Sequence, residues 1–139
     1  MSEGTVGAGC TVLVVEDDAD IAETLASVIA ERGYRVVLAG NGAQALDRLR
    51  TEPRPAIILL DLRMPVMDGR QFRREQLARP ELAPIPVVLL TADTRALSVP
   101  EMAGVARLVK PIDLARLVET IESHCRPPVP PVTGRQGAG

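Results

Sequence analysis

The sequence predicts an α/β domain built on a doubly wound, five-stranded parallel sheet with helices on both faces. Three observations lead there. Five short apolar runs alternate with segments whose apolar residues recur at helical spacing. Most of the runs are apolar at successive positions, the pattern of strands buried on both faces. Finally, the first, third, fourth and fifth runs each stop at a polar residue: Glu16, Asp61, Thr91 and Lys110.

The elements follow in order. Residues 1–9 are small and polar and read as a flexible start. Thr11–Glu16 is the first strand. From Asp18 to Arg32, Ile21, Leu25, Val28 and Ile29 mark a helix that Gly33 closes, with Asp18 suited to its start. Tyr34–Leu38 reads as the second strand and Asn41–Arg50 as the second helix, with Ala45, Leu46 and Leu49 inward. Pro53 and Pro55 punctuate a loop before the third strand, Ala56–Leu60, which runs into Asp61. A third helix is predicted from about Asp68 to Ala78. Pro80, Pro84 and Pro86 then mark a loop ahead of the fourth strand, Val87–Leu90, which ends in Thr91. A weak fourth helix is predicted over 94–103, kept short by Pro100. Val105–Val109 is the fifth strand, followed by Lys110-Pro111. The last helix runs from Ile112 to about His124, with Leu114, Leu117, Val118 and Ile121 inward and His124 at a favourable C-terminal position. Residues 10–126 thus form one domain, and 127–139 are a Pro/Gly-rich flexible tail that cannot bury a core.

Composition bounds the function. At 139 residues the chain suits a single domain that buries roughly two-thirds of its unfolded surface. A net charge of -2 gives no bulk attraction to nucleic acid. No apolar run approaches the roughly 20 residues of a membrane span, and no basic-then-apolar leader opens the chain. A cytoplasmic protein with neither membrane nor nucleic-acid partner is expected. Cys10 and Cys125 lack metal-ligand spacing and read as free thiols of a reducing compartment. The row Arg70, Arg73, Arg74 and Arg79 reads as a solvated face. Lys110 is the one lysine beside 15 arginines, and it sits at a strand end.

In doubly wound sheets, ligands bind outside the carboxyl ends of the strands. The sequence places Glu16, Asp17, Asp61, Thr91 and Lys110 at that edge. Three carboxylates gathered together repel, so their pKa values rise or a cation joins them. An all-oxygen set suits a hard cation, Mg²⁺ or Mn²⁺, that retains waters. A carboxylate can also act as a nucleophile and form an aspartyl phosphate. The transferred group then carries charge on three oxygens. The metal, Lys110, and Thr91 or a backbone N–H supply one partner for each.

The segments VLVVEDD, LLDLRMPVMDG, LLTA and LVKP resemble, in order, the signature blocks of the response regulator receiver domain of two-component signalling, over about residues 10–125. The resemblance implies a flavodoxin-like sheet of order 2-1-3-4-5 with five helices. It implies that Glu16 and Asp17 are the metal-binding acids, Asp61 the phosphoacceptor, Thr91 the hydroxyl residue and Lys110 the conserved-type lysine. Arg63 is expected to lend its backbone carbonyl to the metal, and the Lys110–Pro111 bond is a cis candidate. The phosphoryl donor would be a histidine kinase, a phosphotransfer protein or a small phosphodonor such as acetyl phosphate. Such a domain catalyses its own phosphorylation and dephosphorylation rather than turning over an external substrate.

Three departures from that pattern stand out. The position that usually carries the aromatic switch residue is Arg107, which is expected to reach an acid such as Glu101 or a docking protein. The stretch from Thr91 to Lys110 is short, and Ile112 replaces the usual Phe. Arg63 and Asp93 occupy the positions that flank the attacking water in the family and are expected to pair and set the phosphoryl lifetime. A stand-alone regulator signalling to an unknown downstream protein is the favoured role. A receiver from a hybrid kinase or larger regulator, and a phosphorylation-independent docking module, are the alternatives. A haloacid-dehalogenase-like phosphatase or a nucleotide binder would want a DxD nucleophile or a Gly-rich loop, and the sequence has neither.

Overall fold

A computed structural model of the chain describes residues 10–92 and 100–125. Its elements are β1 (Thr11–Val15), α1 (Ala19–Glu31), β2 (Arg35–Ala39), α2 (Gly42–Thr51), β3 (Ile57–Asp61), α3 (Gly69–Leu77), β4 (Val87–Thr91), β5 (Ala106–Val109) and α4 (Leu114–His124). All strands are parallel, in the order β2-β1-β3-β4-β5. The predicted class and strand order are therefore found. Four α-helices are described rather than five. The helix expected over 94–103 falls largely outside the described residues, which show only a 3₁₀ turn at Pro100–Met102. Residues 1–9 and 126–139 also lie outside them.

The continuous apolar runs have a simple cause. β1, β3 and β4 are interior strands, and every residue in them is buried. Alternate side chains feed two cores. Leu13, Val15, Ile58, Leu60 and Leu89 meet Ala45 and Leu49 of α2 and Phe72 of α3. Val12, Val14, Ile57, Leu59, Val88 and Leu90 meet Leu25 and Ile29 of α1 and Leu117 and Ile121 of α4. Truncating one of these fully buried leucines to Ala costs about 2–5 kcal/mol. The edge strands are more exposed: in β5 only Leu108 is buried, and Arg107 lies open to solvent.

Local signals start each helix. Asp18 caps α1, accepting from the backbone N–H groups of Asp20 at 3.0 Å and Ile21 at 3.2 Å. Asn41 caps α2, Asp113 caps α4, and Asp68 with Gln71 forms a reciprocal capping box on α3.

The arginine row of α3 is not a purely solvated face. Arg70 Nε and Arg74 Nη2 reach the Glu101 carboxylate at 3.4 and 3.2 Å. Arg73 donates to the Glu101 carbonyl at 3.1 Å and to Gln76 Oε1 at 2.8 Å. Gln76 is fully buried and donates onward to the carbonyls of Leu82 and Ile85. The expected Arg107–Glu101 contact is corrected accordingly: Glu101 belongs to α3, because its turn packs beside that helix rather than over β5.

The β3–α3 loop is tightly built. The Met67 N–H donates to the Pro65 carbonyl at 2.7 Å, a γ-turn around Val66, whose φ is 68°. A β-branched residue is strained there, and this one is 82% exposed with no packing to compensate. Gly69 lies against the end of β3: a Cβ on it would stand 2.5 Å from the Asp61 carbonyl oxygen and 2.9 Å from Leu62 Cα. Gly69→Ala is expected to destabilise the domain by about 1–3 kcal/mol through forced backbone displacement. Val66→Gly is expected to stabilise it by up to about 1 kcal/mol by releasing strain. Urea unfolding of the two variants beside the wild type checks both signs.

Candidate functional site

The carboxyl ends of the interior strands converge because their register is fixed. Val15 pairs with Leu60, Asp61 with Leu90, and Thr91 with Val109. Glu16, Asp61, Thr91 and Lys110 thus arrive at one edge of the sheet. Glu16, Asp61 and Thr91 are buried, at 3%, 7% and 4% exposure, whereas Asp17 is open to solvent. Carboxylate oxygens of Glu16, Asp17 and Asp61 all lie within 4.8 Å of one another. Among the described residues this is the one such group of potential metal ligands.

Lys110 crosses to the two buried acids. Its Nζ is 3.2 Å from Glu16 Oε1 and 3.4 Å from Asp61 Oδ2. Its own N–H donates to the Thr91 carbonyl at 2.9 Å, which holds it beside β4. The Lys110–Pro111 peptide bond is cis. The remaining oxygens receive backbone donors: Asp18 N–H to Glu16 Oε2 and Arg63 N–H to Asp61 Oδ1, each at 3.3 Å. Beside Lys110 opens an apolar cleft of about 340 Å³ between α1 and the start of α4, lined by Ile21, Leu25, Pro111, Ile112 and Leu114.

The electrostatics follow. Burial pushes the Glu16 carboxyl up to about 7, and its hydrogen bond to Asp61 and the charge of Asp61 act in the same direction. Burial works against the Lys110 ammonium, but the charges and hydrogen bonds of Asp61 and Glu16 outweigh it and raise its pKa. A buried carboxyl with a raised pKa, beside a second buried acid and an exposed third, is an all-oxygen set that suits a hard divalent cation.

Of the residues singled out from sequence, Glu16, Asp17, Asp61, Thr91 and Lys110 are brought together. Arg63 is exposed and reaches Asp61 through its backbone N–H. Arg107 stands away from this edge, midway along β5. Asp93 lies outside the described residues. The backbone N–H of Asp18 is a further contributor. Asp18 was legible only as a helix cap, since a backbone donor leaves no mark on residue type.

The chain matches the family model of the response regulator receiver domain over residues 12–122. It is 36% identical over 118 residues to the DNA-binding response regulator MtrA of Mycobacterium tuberculosis, covering 83% of this chain and 50% of that protein. Its fold is similar to a response regulator receiver protein from Pseudomonas putida, with a TM-score of 0.75, 30% identity, and coverage of 82% of this chain and 96% of that one. It is also similar to the Mn²⁺-bound form of the response regulator Rcp1, with a TM-score of 0.67, 28% identity, and coverage of 82% and 90%. The chain belongs to the response regulator receiver family. Receiver domains bind Mg²⁺ in an acidic pocket and are phosphorylated by histidine kinases, and Glu16, Asp17 and Asp61 form an acidic cluster in this chain. The chain spans about half the length of the mycobacterial regulators it matches. No described helix is long and apolar enough to cross a membrane.

The raised Glu16 pKa predicts a pH dependence. A carboxyl that is more basic when folded binds its proton more tightly in the native state. Its contribution to stability is full below about 4.5 and is lost as pH rises through about 7. Metal-free protein is therefore expected to lose stability across that window. Glu16→Gln should flatten the slope, and thermal melts at several pH values with a chelator present check this.

Proposed function

We propose that the protein is a phosphorylation-dependent switch in which Asp61 accepts a phosphoryl group. The observation that carries this reading is the Lys110 ammonium spanning Glu16 and Asp61 beside the three-carboxylate cluster. Glu16, Asp17, Asp61 and the backbone carbonyl of Arg63 would hold Mg²⁺ or Mn²⁺. When bound, the cation neutralises the acids and orients the incoming phosphoryl oxygens.

The residues of the chain divide the remaining work. An Asp61 oxygen attacks phosphorus in line, forming the acyl phosphate bond as the donor P–N or P–O bond breaks. The electron pair of that bond leaves with the imidazole of a histidine kinase or phosphotransfer protein, or with acetate from acetyl phosphate. Lys110 loses its partner charge on Asp61 when the acyl phosphate forms and is free to turn its ammonium to a phosphoryl oxygen. The Thr91 hydroxyl takes another. The apolar cleft beside Lys110 offers the donor protein a surface next to the reacting atoms. Arg63, exposed two residues after the acceptor, and Asp93 are the pair that sets the phosphoryl lifetime. Arg107, exposed on β5, replaces an inward-turning aromatic and makes the output a contact with an acidic partner.

In the stand-alone reading, residues 10–126 act as a cytoplasmic switch through protein–protein contact. The half-length match to regulators named as DNA-binding favours a second reading, a receiver module of a larger regulator whose output part lies elsewhere. The full reading frame and a DNA-binding assay on its product separate the two.

Intact mass after incubation with Mg²⁺ and acetyl phosphate tests the chemistry. The wild type is expected to gain one phosphoryl group. Asp61→Asn, or chelation of the metal, should abolish it, and Lys110→Ala should slow it roughly 10- to 100-fold. No adduct on the wild type with small donors, a cognate kinase and beryllofluoride alike would replace this proposal with a phosphorylation-independent docking module. Independently of activity, Mg²⁺ should raise the melting temperature in a concentration-dependent way, and Asp17→Asn should weaken that rise.

A further inference from the structure

At the opposite end of the sheet from Asp61, the fold brings the two cysteines together. Cys10 immediately precedes β1, and its carbonyl accepts from the Arg35 N–H at 3.0 Å. Cys125 ends α4, its N–H bonded to the Ile121 carbonyl at 2.9 Å. They are 115 residues apart in sequence, yet Cys10 Sγ lies 3.6 Å from the Cys125 carbonyl oxygen. Both are free thiols, Cys10 half-buried and Cys125 buried. The Cys125 side chain packs in the α1/α4 core with Tyr34, and Cys10 lies against that cluster. Burial, then hydrogen bonding to the neighbouring Cys10 thiol, pushes the Cys125 thiol up to about 12. The Tyr34 hydroxyl of the same cluster is buried with no hydrogen-bond partner among the described residues.

We infer that Cys10 and Cys125 form a reversible dithiol–disulfide couple, a redox modification site that staples the end of α4 to the start of β1. The oxidant class is a small-molecule disulfide. The accessible Cys10, as thiolate, attacks one sulfur of the oxidant, forms a mixed disulfide and releases one small thiolate. Cys125 then gives its proton to water, and its sulfur attacks Cys10 Sγ and displaces the second thiolate. Two protein thiols and one small disulfide become one protein disulfide and two small thiols.

The division of labour follows from exposure. Cys125 is shielded from outside reagents but adjacent to Cys10, so it reacts only within the molecule. Held on two packed elements, it faces the mixed disulfide at high effective concentration, which offsets its reluctance to ionise. The bond would close a loop around nearly the whole domain, the case in which a cross-link restricts the unfolded chain most. It lies far from Asp61 and does not depend on phosphoryl transfer.

The test incubates the full chain with oxidised glutathione, then denatures, alkylates and weighs it. The expected product is a monomer lighter by two hydrogens that takes up no alkylating agent. Its melting temperature should rise by about 5 °C or more without reductant and return to the starting value with it. Cys125→Ser should stop at a stable glutathione adduct on Cys10. Cys10→Ser should react at less than about a tenth of the wild-type rate, as a buried thiol does. Wild-type protein that stops at the glutathione adduct, links only between two chains, or stays fully alkylatable would overturn the inference. Acetyl phosphate uptake by the oxidised protein should be unchanged, so failure here and failure at Asp61 are read separately.

Discussion

Two acids, Glu16 and Asp61, are held where water scarcely reaches them, and the ammonium of Lys110 makes that arrangement tolerable. Removing a carboxylate from water is costly unless a charge or hydrogen bond compensates. Lys110 stands within 3.4 Å of both, and the backbone N–H groups of Asp18 and Arg63 complete their partners. The compensation is partial, as the raised Glu16 pKa shows. That residual mismatch is what a divalent cation would relieve.

The scaffold supports this constellation by leaving little freedom behind it. Three fully buried strands fix the height of each acid through main-chain pairing, not through side-chain choice. The loop after Asp61 is drawn in on both sides. Gly69 abuts the Asp61 carbonyl, and the Gly42 N–H donates to the Met67 carbonyl at 2.7 Å, where a Cβ on Gly42 would also collide. The strained turn at Val66 is the local consequence of that tight closure.

Away from the site, polar side chains tie the irregular segments down. Glu101 gathers Arg70 and Arg74, while Arg73 and the buried Gln76 extend the network to the turn before β4. The exposed ion pairs contribute modestly to stability. The buried amide matters more, because it supplies a donor to the Ile85 carbonyl and a second one to the Leu82 carbonyl, which also accepts the Ile85 N–H. The domain thus has an acidic cluster with its lysine at the strand carboxyl ends, a polar clamp on one flank, and a pair of thiols at the far pole.

The sequence by itself determined the class of fold, the interior strands and the polar residues that end them, because burial on both faces of a parallel sheet forces uninterrupted apolar runs. It also indicated the starts of the first three helices, since a capping Asp or Asn acts within a few residues of itself, whereas the last helix begins at Leu114, after its Asp113 cap, and not at Ile112. The strand order was legible only through resemblance to a family. Edge strands were less legible: β2 begins and ends one residue later than the apolar run, because its limits are set by its pairing with β1. Only the tertiary structure decided that Glu101 serves α3 and not Arg107, that Gln76 is buried, and that Cys10 meets Cys125. Those contacts join residues 6 to 115 positions apart and repeat with no period, so no local pattern in the chain encodes them.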